Sequence, residues 1–244
     1  MPDIVLSMIA LLVSIQHRKA YELTLITQVL ILNEKNLKNK LRGKFIVLDG
    51  PDGCGKTTQC ELLGRWLTDN GLKVETLRDP GGTAIGEKIR QILLNPEHIT
   101  MGTRTELLLY MAARAQLWAE KIAPALQQDK CVILDRWLSS TCAYQGHAGG
   151  FGTDNVVRIA EDCLERPWPD LTVILDIDLQ TAGQRLNRPL DRMEQKGDGY
   201  HRKVREGFLQ IAGQQKNLSV IDAAGDIETV HKMVLKVVKE SFSI

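Results

Sequence analysis

The chain has 244 residues, with 31 basic and 30 acidic side chains, a net charge of +1, 43% hydrophobic and 25% charged residues. That length suffices for one large α/β domain, and the near-zero charge argues against a general nucleic-acid binder, which carries a basic excess. Five scattered cysteines without CxxC spacing argue against a zinc ribbon or a disulfide framework, so reduced thiols in a cytoplasmic protein are expected.

The first elements in the chain are apolar. "IVLSMIALLVSI" (Ile4 to Ile15) has about half the ~20 residues that cross a membrane, no Lys or Arg precedes it, and no clear cleavage site follows. A second run, "LTLITQVLIL", ends at Leu32 and leads into the basic link "NEKNLKNKLRGK". Residues 1–43 read as an extension of unknown role, an appended amphipathic arm or a start assigned too early, ahead of a domain over 44–244. A membrane-surface anchor is the sharper alternative, but no membrane partner is expected.

From Lys44 the patterns alternate. "KFIVLDG" is a continuous apolar run closed by a glycine turn, as in a parallel strand buried on both faces. A helix is predicted from Lys56 to Asn70, with Cys60, Leu63 and Leu67 on one face and Gly71 as its stop. "KVETL" (Lys73 to Leu77), "CVILD" (Cys131 to Asp135), "LTVILDI" (Leu171 to Ile177) and "LSVIDA" (Leu218 to Ala223) supply four more strands, with helical patterns between them. These predict an α/β fold built on a parallel five-stranded sheet with helices on both faces and a site at the carboxyl ends of the strands.

Between the first strand and helix lies "GPDGCGKTT": Gly50, Pro51, Asp52, Gly53, Cys54, Gly55, Lys56, Thr57 and Thr58. Glycines here let backbone N–H groups curl around a phosphate, and the helix N-terminus adds a positive partial charge. Lys56 supplies a cation for the β/γ-phosphates and Thr57 a hydroxyl for Mg²⁺. No NKxD motif is present to specify guanine. "CVILDR" ends a strand on Asp135, but Arg136 follows at once, and a cation beside the phosphate site suggests a second anionic substrate.

"GPDGCGKTT", "RDPGGTAIGEKIR", "TELLLYMAARAQ", "DRWLSSTCAYQG" and "LDRMEQKGDGYHRKVREGF" occur in the order and spacing of thymidylate kinases, so the chain from Lys44 onward resembles that family. The resemblance implies a P-loop nucleoside-monophosphate-kinase fold with a lid (about 183–203). It further implies Mg²⁺-dependent transfer of phosphate from ATP to dTMP for dTTP biosynthesis, and a homodimer.

By the same resemblance, Tyr110 stacks on thymine where relatives carry Phe, and Arg114 grips the acceptor phosphate. Thr141 and Gln145 read the base, and Tyr144 crowds the sugar 2′ position. These three lie at i, i+3 and i+4, which predicts one helical face, capped by Ser139 or Ser140. Arg90 and Arg136 are further acceptor contacts. Asp135 orients Lys56 or holds a Mg²⁺-bound water, and Asp52, odd in a loop built for anions, meets the sugar 3′-hydroxyl. Asp79 stands where many relatives have Glu.

The P-loop lacks an arginine, so the resemblance moves the catalytic arginine to the lid. Arg188 is the first candidate and Arg185 the second, with Arg192 structural beside Asp191. "IDAAGD" is the expected adenine-side loop. Two alternative functions remain from sequence: a kinase of UMP, CMP or AMP, against which "SSTCAYQG" argues, and a silent nucleotide-binding partner, against which Lys56, Thr57, Arg114 and Arg136 argue.

Overall fold

The structure, a computed structural model, describes residues 35–186 and 188–244. Both apolar runs of the N-terminal extension lie outside the described residues. All five expected strands form: β1 (Phe45–Asp49), β2 (Val74–Arg78), β3 (Cys131–Asp135), β4 (Leu171–Asp176) and β5 (Leu218–Asp222). They pair in parallel in the order β2-β3-β1-β4-β5.

β1 is central and fully buried, and alternate residues serve the two faces. Phe45 and Val47 join one core with Val132, Leu134 and Ile174, and Ile46 and Leu48 join the other with Ile133, Val173 and Leu175. The first core is covered by α4 (Thr103–Leu117), α7 (Thr153–Cys163) and α9 (Asp198–Gln214), and the second by α2 (Lys56–Asp69) and α10 (Ile227–Phe242). α2 stops where predicted, with Asn70 at its C-cap and Gly71 at φ 76°. The remaining helices are α1 (35–41), α3 (Ala84–Leu94), α5 (Ala123–Gln127), α6 (Leu138–Thr141) and α8 (Leu179–Arg185).

Three local expectations need correction. The described start of the extension is not detached: Leu37 and Leu41, 5% and 0% exposed, sit in the second core, so apolar packing begins before Lys44. The helix after β3 changes pitch, with α6 giving way to a π-helical stretch, Cys142–Ala148. Ser139 and Ser140 do not cap it; Trp137 stands at the cap, and both serines turn inward to Asp49. The lid range also narrows, because residues 198–203 are the first turns of α9; among the described residues between α8 and α9 the one helical piece is a 3₁₀ turn, Glu194–Lys196.

Candidate active site

β1 delivers the chain into a loop that only glycine can follow at two points. Gly50 has φ 139° and a Cβ there would meet the Leu175 carbonyl at 2.5 Å; Gly53 has φ 79° and its Cβ would lie 2.4 Å from the Ala182 carbonyl. α2 then starts at Lys56 with no side-chain cap, leaving its first N–H groups for an anion. Lys56 is folded into the loop, its Nζ donating to the Pro51 carbonyl (2.7 Å) and reaching Cys54 Sγ (3.4 Å). Thr57 Oγ1 donates to Asp135 Oδ2 at 2.6 Å, so Asp135 partners Thr57 and not Lys56.

A cleft of about 1300 Å³ opens over this loop. Its far wall is the β5–α10 turn, Gly225 to Glu228, with Ile227 59% exposed. Arg185 reaches that turn, donating to the carbonyls of Ala223, Ala224 and Gly225 at 2.8–3.1 Å. A second chamber, about 90 Å³, is walled by Tyr110, Arg114, Thr141, Tyr144 and Gln145 together with Leu94 and Met193. Asp52, Asp79, Arg90, Arg136 and Arg188 line both cavities and so mark their junction.

Arg136 organises the junction. It takes up φ 69°, unusual for a non-glycine residue, and donates to the Gly50 carbonyl (2.9 Å) and Ser140 Oγ (3.0 Å). It pairs with Asp52, and its guanidinium lies over the Tyr144 ring at 5.5 Å. Tyr144 also donates to Asp52 Oδ2 at 2.7 Å. The compensating partners of the loop carboxylate are therefore inside the protein. Burial would raise the Asp52 pKa, but Arg136, then Lys56 and the Tyr144 hydroxyl, hold it down at about 2. Burial likewise works against the Arg136 charge, and Asp52, Tyr144 and Asp49 outweigh it, raising the arginine well above its usual value.

Two carboxylates of the site were missed from the sequence. Asp49, fully buried at the end of β1, accepts from the N–H groups of Gly50, Trp137 and Ser140 and from both serine hydroxyls, the latter at 2.6 Å. Glu106, 1% exposed on α4, accepts from Gln145, Arg192 and Lys196. An acid closing an apolar strand just before a phosphate loop, and "SS" after "DRW", were the available hints for Asp49.

Arg114 is 1% exposed, and it donates to Asp79 Oδ2 (2.7 Å), the Trp137 carbonyl and Thr141 Oγ1 (2.9 Å). It lines the inner chamber and not the phosphate cleft. Asp79 is buried with Oδ1 unpartnered, and burial raises its pKa against the pull of Arg114. Arg90 donates to the Pro80 carbonyl at 3.0 Å. Among the lid arginines, Arg188 binds both oxygens of Glu194 (2.9 and 2.6 Å). Arg192 is buried against Glu106 and the Leu93 carbonyl; its structural partner is thus Glu106 and not Asp191.

Comparisons with known proteins point to one family. A family model described as thymidylate kinase matches residues 48–234. The thymidylate kinase of Caldanaerobacter subterraneus subsp. tengcongensis is 44% identical over 202 residues, covering 82% of this chain and 97% of that one. The Geobacillus sp. enzyme of the same name is 40% identical over 205 residues, covering 82% and 98%. Among solved structures, the thymidylate kinase from Ehrlichia chaffeensis superposes with a TM-score of 0.66 at 32% identity, covering 80% of this chain and 98% of that one.

Proposed function

We propose that this chain, which belongs to the thymidylate kinase family, transfers the γ-phosphoryl group of ATP to dTMP, giving dTDP and ADP for dTTP synthesis. The observation that carries the reading is the meeting of two cavities, one over a phosphate loop and one walled by Tyr110, Thr141 and Gln145, at three arginines. ATP fits the larger cleft, with its phosphates on the loop and the uncapped start of α2. Its adenine rests on the surface made by Arg185 and the Gly225–Glu228 turn it is bonded to, where exposed Ile227 offers an apolar contact.

The acceptor phosphate belongs at the junction, where Arg90 and Arg136 face both cavities. Arg114 stands deeper, beside Thr141, which suits a base oxygen and not the phosphate that the resemblance assigned to it. Tyr110 forms the stacking wall. Asp52, held charged, keeps Arg136 and Tyr144 in place and presents an acceptor for a sugar hydroxyl. Phosphoryl transfer needs positioning and charge stabilisation more than covalent help. Lys56 and Arg136 supply cations from the body of the protein, and Arg188 supplies one from the lid. Thr57 and Asp135 offer adjacent oxygen donors that suit Mg²⁺, which keeps several waters and shares substrate phosphates; when bound it would neutralise charge on the β- and γ-oxygens.

The inner chamber is smaller than the ~300 Å³ at which ligand pockets usually begin. Arg188, Asp191 and Met193 form one of its walls, so dTMP enters as the segment between α8 and α9 moves aside. We place the enzyme in the cytoplasm, in keeping with its free thiols. We also propose a homodimer through the α3/α4 side, where Ile85, Ile92, Ile99 and Leu108 are 42–81% exposed. Coupled ADP release tests the activity. dTMP should support turnover well above UMP, CMP and AMP, and Lys56→Ala should abolish it in a folded protein; equal rates with all four acceptors would refute the reading.

A further inference from the structure

Gln145 is a base-reading residue whose amide could face the chamber either way round, and the two ways read different bases. With its nitrogen turned one way it matches the N3–H and O4 edge of thymine; flipped, it matches the N3 and N4–H₂ edge of cytosine. Something must fix the choice, and nothing in the local sequence around 145 does so.

The fixing group comes from another helix. Gln145 and Glu106 are both 1% exposed, and Gln145 Nε2 donates to Glu106 Oε1 at 2.8 Å. An ionised carboxylate only accepts, so the amide nitrogen must face it. Glu106 takes one of the two amide hydrogens and leaves Gln145 one N–H donor and its carbonyl acceptor to present. A flip would set the Gln145 oxygen against the carboxylate, two buried acceptors with no proton between them.

Two cations keep Glu106 ionised. Arg192 Nη1 reaches Oε2 at 2.6 Å, and Lys196 Nζ reaches both oxygens at 3.0 Å. Burial would raise the Glu106 pKa, but the Gln145 hydrogen bond, the charge of Lys196 and hydrogen bonds from Lys196 and Arg192 hold it below the ordinary glutamate value. Both cations come from the segment that walls the chamber or its 3₁₀ turn.

We propose that Glu106 is a positioning residue that sets pyrimidine selection: by locking the orientation of the Gln145 amide, it makes the chamber accept the donor–acceptor edge of thymine and reject that of cytosine. This inference rests on the thymidylate kinase reading of the site.

The experiment compares kcat/KM for dTMP and dCMP in the parent, Glu106→Gln, Glu106→Asp and Lys196→Met, with thermal melts of each and calorimetric titration of both nucleotides. Glu106→Gln lets its own amide donate or accept, so the flip is free; the dTMP-to-dCMP ratio should fall at least tenfold, mostly through KM. Glu106→Asp preserves the charge that buried Arg192 needs while shortening the reach toward Gln145. It should fold even if Glu106→Gln does not, and should lower the ratio to a lesser degree. Lys196→Met leaves the Glu106–Gln145 bond in place and should keep the parent ratio.

A merely structural Glu106 would lower melting temperature and activity on both nucleotides together, with the ratio unchanged in both Glu106 variants; that result overturns the proposal. A ratio lost equally in Lys196→Met would also overturn it, assigning selection to the lid. A parent that turns over dTMP with no preference against dCMP refutes this inference alone. A parent that neither binds nor phosphorylates dTMP refutes the function reading as well.

Discussion

Arg188→Ala probes the lid most directly. The Arg188 side chain is 54% exposed and bonded to both oxygens of Glu194, itself 2% exposed, at the junction of the two cavities. To serve the transferring phosphoryl group it must leave Glu194. Arg188 is half in water, and after its release the Asp191 N–H still donates to the buried Glu194 carboxylate, so the exchange costs ~1 kcal/mol. An arginine contact on the transition state can be worth ~10³-fold in kcat, about 4 kcal/mol. The difference, ~3 kcal/mol, corresponds to a ~10²-fold lower kcat for Arg188→Ala. The contact forms mainly in the transition state, so KM for dTMP should change by less than about threefold. Steady-state coupled ADP release at saturating ATP measures both. A kcat within about twofold of the parent, under ~0.5 kcal/mol, would refute the assignment. The role could not then pass to Arg185, committed to three carbonyls of the β5–α10 turn, or to buried Arg192; it would fall to Arg90 or Arg136.

Other outcomes follow from packing and charge. Leu41→Ala removes a fully buried side chain at ~2–5 kcal/mol and should lower Tm by roughly 5–15 °C in a thermal melt. Deleting residues 1–34 should spare dTMP phosphorylation, whereas deletion through 41 should not spare stability; equal melting of the two would show that Leu37 and Leu41 contribute nothing. Asp52 is about 2 when folded against an ordinary 3.8, so its stabilisation is complete above the unfolded value and lost as pH falls through the folded one. The gap in urea midpoint between the parent and Asp52→Asn should therefore shrink from about pH 5 toward about pH 2, and a constant gap would contradict the depressed carboxyl. Ile92→Asp, on the exposed side of α3, should convert a dimer to a monomer by light scattering without altering the fold; an unchanged particle mass would remove that face from the interface.

Sequence reading captured the strands because β1, β3 and β4 are buried on both faces and so are written as unbroken apolar runs. It captured the phosphate loop because its spacing is local. It failed where the determining contact is remote or the helical pitch departs from 3.6. The π-helical turn over 142–148 alters which side chains share a face with Thr141, and no local period announces that. Glu106 looks like an ordinary helix-surface acid until Arg192 and Lys196, about 90 positions away, are folded against it. Arg114 was legible as a candidate, but its depth in the chamber depends on Asp79 and Trp137, both outside its helix.

Asp49 joins the first N–H of the donor loop to the first turn of the acceptor helix through one carboxylate. Its partners at Ser139 and Ser140 lie some 90 residues away in the chain, and all of these bonds are sealed from water. Charge-assisted hydrogen bonds of this kind are among the strongest available to a protein. The distance from the phosphate loop to the helix that walls the inner chamber is thus a property of the folded core. The effective concentration of one reactant at the other is set when the chain folds, and binding has little left to arrange. What Asp49 ties together is the frame of the cleft, and the segment between α8 and α9 lies outside that tie.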